Sequence, residues 1–551
     1  MKKMQLHDSG YALIMALFLI VVVAGYLLTL HTLAASGLRS SEFNACKVVT
    51  NYLAEGGCEA AQKSMQRALA NYQPVPTSAT YTIKGTPVYV TIATCGHQRI
   101  DQDSAGVRTI VQPYLITSTV TYRGTVTTME RVVDTGLTPI FQYAVFYNDD
   151  LEMLPGPNLT LTGRVHTNGN LYIGSHALLT VNSDYLHAVG NLYLRRKDDG
   201  TLMDGNVKVL VKGTTSQYFT FEQRATLAAQ GIPSTSGFDS AFRGYDINGD
   251  GTFNDPGELA GWATRSQTLW SGTVKTGEHG LSEVVAPSVQ TMQPTVTDAG
   301  GNTVKGFYNA NAGLVIKGTR AYVGSTEVTS SLPSGTIGQK TMYNAREKKT
   351  VTVTEIDMGK LNTSGYFPSN GLLYAYREDS NSSTPNGIRL KNASTLNGPL
   401  TVVSPNPVFT LGNYNSVNKK PAAIITDAMN ILSNAWNDTK TAGHLPVATA
   451  TTVNAAFITG NTATTWGSYN GGLENLPRFH ENWTNVTCYI RGSFVNTFLS
   501  SVAVGSWVYG GDEYQAPIRN WDYDTDFNTF SKLPPYTPYV VIITRVVQTS
   551  Q

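Results

Sequence analysis

The sequence predicts an α+β fold that is mainly β: a long N-terminal helix, a small antiparallel sheet, then a parallel β-helix-like (β-solenoid) region with an inserted segment. Three observations carry this reading. An uncharged apolar run from Tyr11 to Leu30 leads without a break into a segment patterned at helical spacing. Residues 78–135 alternate apolar and polar positions around glycine turns. From Phe141 onward, short β runs recur between Gly and Asn residues, at irregular intervals of about 20–30 residues. A series of β-sandwiches is the competing architecture for that last part. Charged residues make up only 14 % of the 551, and the net charge is +1. A nucleic-acid partner is therefore not expected, because phosphate binding needs an excess of Lys and Arg.

The apolar run comes first. About twenty such residues span a bilayer as a helix, here over residues 11–35. Lys2 and Lys3 precede it and place the N-terminus on the cytoplasmic side. An ordinary secretory signal has a shorter apolar core and a small-residue cleavage site. "TLAAS" (Thr32 to Ser36) is such a site, so a cleaved signal and a plain anchor stand as alternatives. A third reading takes residues 1–10 as a short polar leader ending at Gly10 and residues 11–73 as one helix. After Arg39, the residues Val49, Leu53, Gly57, Ala60, Ala61, Ser64, Ala68 and Leu69 form a packing stripe. Gly56 and Gly57 each lower helix propensity by about 1 kcal/mol and predict a bend or a loosened turn. Pro74 and Pro76 end the helix.

The stretches "SGYALIMAL" and "NYLAEGGCEAAQ" resemble the N-terminal region of type IV pilins and pseudopilins, specifically the PilX-type minor pilins. That resemblance covers about the first 70 residues, and the C-terminal stretches "YNGGLENLPRFHENW" and "NWDYDTDFNTFSKLPPYTP" look like those of large proteins with PilX-type N-termini. The N-terminal resemblance implies that a prepilin peptidase cuts after Gly10 and methylates the new N-terminal Tyr11. It also implies that the retained helix packs against other pilins in a filament. Major pilins carry a Glu five residues after the cut, where this chain has Met15. By resemblance that Glu pairs with a neighbour's terminal amine, and a buried unpaired amine is costly. A subunit lacking it is best tolerated at a filament tip or at low abundance.

Residues 78–138 then read as a small β head, with a hairpin turn at Arg123–Gly124. Residues 140–551 read as the β-helix-like passenger, with an insertion over 215–365. The four cysteines show no CxxC spacing. Cys46 and Cys58 share a helix about 18 Å apart, too far to bond. In an oxidising compartment Cys58 with Cys95 is the better pair, and four free thiols are the alternative. Inside the insertion, Asp246, Asn248, Asp250 and Gly251 match positions 1, 3, 5 and 6 of a calcium loop. Thr252 offers its backbone carbonyl, Asn254 assists, and the acid expected at position 12 arrives one residue late as Glu258. An ion-free Asp/Asn/Gly turn uses the same residues.

A catalyst is not expected. Asp522, Asp524 and Asp526 on alternate positions, and Glu474 with His480, are the nearest to an acid–base set. Such carboxylates more often serve as caps and ion pairs, and His166 reads as a stacking or turn residue. The expected function is a minor pilin or pseudopilin acting in filament assembly or surface adhesion. It would be held by one span in the inner membrane with its bulk in the periplasm, then moved to a pilus or the cell surface, with a surface or polysaccharide ligand in prospect. The alternative is a membrane-anchored β-helix enzyme acting on polysaccharide.

Overall fold

The computed structural model describes residues 8–103, 106–221, 240, 244–252, 254–298 and 301–550. Leader residues 1–7 and part of the expected insertion lie outside the described residues.

Helix α1 (Asp8–Ala70) runs unbroken for 63 residues, about 95 Å at 1.5 Å per residue. Only its second half packs. Thr50, Leu53, Ala54, Cys58, Ala61 and Met65 are buried at helical spacing, whereas Val49 is exposed, so the true stripe runs one residue out of phase with Val49. The helix is continuous through Gly56–Gly57. The missing side chains there let the helix approach the sheet: a Cβ on Gly57 would lie 2.4 Å from Ser118 Oγ and 2.6 Å from Val88 Cγ1.

The helix ends three residues before the expected boundary, at Ala70. The amides of Tyr72 and Gln73 return to the carbonyls of Leu69 and Ala68 at 3.2 and 2.8 Å, a Schellman closure. Its left-handed residue is Tyr72, at φ +56°, where glycine is usual. The Tyr72 ring stacks on Phe307 with centroids 3.8 Å apart. Beside it, Asn71 Oδ1 accepts from the Ser288 amide and hydroxyl at 3.0 and 2.7 Å. The helix end is thereby docked onto the β-rich region.

Strands β1 (Ser78–Ile83), β2 (Thr86–Thr94), β3 (Arg99–Gln102), β4 (Arg108–Tyr122) and β5 (Thr125–Pro139) form the antiparallel head sheet. The turn between β4 and β5 is Arg123–Gly124, both at positive φ, as a two-residue hairpin requires. The far edge of β5 is covered by Tyr539–Ser550, antiparallel and with Tyr539 opposite Pro139. The expected passenger boundary at residue 551 is therefore wrong. The last strand belongs to the head sheet, and the β-rich region is inserted between two neighbouring strands of that sheet. Its apolar alternation did not reveal this, because the partner strand is far away in the chain.

Within the insert, parallel pairing dominates. Val145–Tyr147, Val165–Thr167 and Leu186–Ala188 pair in register, as do Leu151–Met153, Leu171–Ile173 and Leu192–Tyr193. Later strands Leu372–Tyr376, Leu400–Ser404, Ala422–Thr426, Ala456–Thr459 and Phe494–Asn496 continue the same sheet in parallel. The strand order is unexpected: Phe494–Asn496 pairs with Val145–Tyr147 inside an open sheet whose edges are Val274–Lys275 and Thr326–Glu327. The chain thus enters this stack in its middle. It builds towards one end, crosses to the other, and works back. Antiparallel additions such as Ile337–Asn344 with Lys349–Asp357 make the sheets mixed. The central strands bury both faces, which explains continuous apolar runs such as "LTVVS" and "AAIIT".

Candidate functional site

The first half of α1 exposes a continuous apolar surface, with Tyr11 76 % and Phe18 66 % exposed. By length and composition the helix can cross a membrane, and none of its most apolar stretch is buried. A surface of that extent marks a lipid or protein contact. Gly10 and Tyr11 lie in its first turns, both exposed, and nothing stands within 4 Å of a Cβ built on Gly10. Met15 is likewise exposed.

The second half of α1 is clamped to the head. Arg131 of β5, itself fully buried, reaches Glu59 at 2.5 Å and also Gln62 on the helix. Its Nε donates to Gln548 Oε1 of the C-terminal strand at 2.8 Å. One guanidinium therefore ties helix, sheet and last strand together. Sequence reading missed it because Arg131 sits on a strand position that alternation marks only as polar.

The expected Cys58–Cys95 bridge is not formed; all four cysteines are thiols. Cys58 is buried in the core between helix and sheet, whereas Cys95 is only half-buried, just past the end of β2. Burial and the nearby Asp134 carboxylate push the Cys95 thiol up.

In the Asp246–Glu258 loop, Glu258 does fold back onto the loop's start. Its oxygens accept from the amides of Ile247 and Asp255 at 2.9 and 3.0 Å. Asp246 accepts from Gly249, Asp250 and Gly251 amides. Asp250 accepts from the Thr252 amide and hydroxyl, which hold its carboxyl below the usual range. Asn248 donates to Asp250 and Asp255, and Thr252 Oγ1 donates to Asn254. The six expected residues are brought together, with the carboxylates engaged by backbone amides. Among the described residues, no group of three or more His, Cys, Asp or Glu is placed to hold a metal.

The aspartate trio splits: Asp522 stands apart, while Asp524 and Asp526 share Lys419. Asp522 accepts from Thr162, Asp524 caps the turn Thr525–Asn528 and pairs with Lys419, and Asp526 pairs with Lys419 and Lys532. Glu474 and His480 make no hydrogen bond to each other. Glu474 accepts from the Leu154 amide at 2.7 Å, while His480 Nε2 lies 2.9 Å from Asn430 Oδ1. His166 is buried against Phe146, with centroids 5.3 Å apart, and burial lowers its pKa to about 4.

No protein-family model matches the chain, and no curated protein matches it. Among solved structures it is similar to the competence-associated pilin ComZ from Thermus thermophilus, at 11 % identity and a TM-score of 0.28, over 92 % of this chain and 97 % of that one. At that identity and score the likeness assigns neither family nor function.

Proposed function

We propose that this chain is a pilin-like filament subunit of the PilX type whose large β-rich insert is carried on the filament for assembly or surface contact. One observation carries the reading: a single unbroken helix is wholly exposed and apolar in its first half and packed on an antiparallel sheet in its second. A helix that only had to anchor the chain has no need to continue rigidly into the head. In this reading Gly10 is the prepilin peptidase site, Tyr11 is the methylated N-terminus, and other pilins cover the exposed surface. Before assembly the helix spans the inner membrane with the bulk in the periplasm. Met15 supports a tip or low-abundance position. The parallel, in-register pairs at intervals of about twenty residues support reading the insert as a parallel β-helix. The return of Glu258 to the start of its loop supports a weak calcium site, with Asp246, Asn248, Asp250, Thr252 and Asn254 supplying the other oxygens.

Intact-mass measurement of membrane-extracted protein tests the processing step. The expected mass lacks residues 1–10 and carries one methyl group on Tyr11. Cleavage within Thr32–Ser36 instead makes the segment an ordinary signal and overturns the proposal. Immunogold labelling of purified filaments tests the location.

A further inference from the structure

Beside the strand Leu151–Met153, where it faces the loop Asn461–Gly472, lies an open cleft of about 460 Å³. Its wall holds three polar side chains that are almost wholly buried: Tyr147 (3 % exposed), Glu152 (2 %) and Asn461 (4 %). Each leaves one buried polar atom without a partner: Tyr147 OH, Glu152 Oε2 and Asn461 Nδ2. The Asn461 amide is oriented by its Oδ1, which accepts from the Thr462 amide at 2.9 Å, so its free end is the donor.

Behind them, Glu474 Oε2 and Tyr469 OH are also unpartnered. They converge on Gly472, at φ +65°, where a Cβ would lie 2.3 Å from Tyr469 OH, 2.7 Å from Glu474 Oε2 and 3.0 Å from the Glu152 carbonyl. Burial pushes the Glu152 and Glu474 carboxyls up to about 7. Leaving several buried polar groups unmet is costly. A native fold retains such a set where something else completes it.

The chemistry of the set identifies the occupant. It mixes donors with acceptors, and a metal cation would be repelled by the Asn461 amide protons. A hydroxyl group both donates and accepts, so adjacent hydroxyls of one ring can satisfy both kinds of atom. Among the described residues, the lip carries Asp149, Asp150 and Glu283 against a single cation, Lys197, which is itself paired with Asp150 at 2.9 Å. That balance disfavours anionic ligands. The same lip carries Leu499, 53 % exposed, an apolar surface suited to the carbon face of a sugar ring. The cleft volume falls in the range of small-ligand sites.

We infer that this cleft binds a neutral saccharide, with Glu152, Asn461 and Tyr147 hydrogen-bonding ring hydroxyls. The inference stands apart from the filament reading, since it uses none of the helix.

The full-length protein in detergent, applied to an array of neutral and acidic glycans, tests it, with titration calorimetry on any glycan retained. The expected result is saturable binding to at least one neutral glycan. Glu152→Gln and Asn461→Ala should each weaken it about tenfold, the effect of one lost hydrogen bond in a desolvated site. Leu499→Arg, at the exposed lip, should abolish it without touching the buried wall, and it keeps the test open if a wall variant fails to fold. The inference is overturned if no neutral glycan is retained, if only acidic glycans bind, or if Leu499→Arg binds as the parent does.

Discussion

Replacing Gly57 by alanine sets two effects of opposite sign against each other. In an ordinary exposed helix position the change stabilises by about 1 kcal/mol, because glycine forfeits more backbone freedom. Here the new methyl would stand 2.4 Å from Ser118 Oγ, 2.6 Å from Val88 Cγ1 and 3.3 Å from Val90 Cγ2. All three neighbours are fully buried, and they sit on β2 and β4, paired through Val90 and Ser118. They have nowhere to swing, so the helix must lift by about 1 Å to restore ordinary contact distances. Overpacking of this kind costs about 1–3 kcal/mol. The net expectation is a loss of about 0–2 kcal/mol, with faster amide exchange along β2 and β4. Gly37→Ala is the control, since nothing lies within 4 Å of its Cβ; it should gain the propensity term alone. Hydrogen exchange followed by mass spectrometry on both full-length variants reads the difference. If Gly57→Ala protects the head as well as Gly37→Ala does, the close-approach argument is wrong.

Three further outcomes are expected. Arg131→Met keeps the buried stem but removes the clamp, and should cost about 1–3 kcal/mol, with exchange quickening first near Gln548. The Glu152 and Glu474 carboxyls titrate near 7 in the fold and near 4.3 when unfolded, so the native state holds more protons between those values. Stability should therefore fall as pH rises from 4.5 to 7 and level off above, by up to about 3 kcal/mol per carboxyl; Glu474→Gln should flatten the melting-temperature profile, and an unchanged slope refutes the assignment. Millimolar calcium should raise the melting temperature if the Asp246–Glu258 loop takes the ion, by an amount that grows with the logarithm of concentration; Asp250→Ala should remove the effect, and identical curves with calcium and chelator would leave only the hydrogen-bonded turn.

What was legible in the sequence was local. The helix, its apolar and amphipathic halves and the Arg123–Gly124 hairpin follow from neighbours a few residues apart, and the structure keeps them. The glycine pair was misread because propensity is a property of the helix alone, whereas Gly57 answers to Ser118 and Val88 on another element. The Cys58–Cys95 pairing failed for the same reason: it needed the register of helix on sheet. Glu474 and His480 looked like partners at six residues apart, yet burial draws them to Leu154 and Asn430. Glu152 did leave a signal, an acid between Leu151 and Met153 in a run that is otherwise core, but its meaning depended on residues more than three hundred positions away.

The docking of Tyr539–Ser550 on β5 has a consequence for the order of events during synthesis. Pro139 and Tyr539 are register partners separated by about 400 residues, and closing so long a flexible loop costs about 5 kcal/mol. If the intervening region has already folded and brought its own ends together, most of that cost has been met in advance. The first domain to emerge is thus the last to be finished. Until then β5 presents an open edge able to pair with any stray strand. A stalled or clipped chain would keep that edge open however well its helix had formed, and would also lack the Gln548 contact to Arg131. The strand Tyr539–Ser550 thus ties the cover on the head sheet to a segment that lies beyond everything inserted into it.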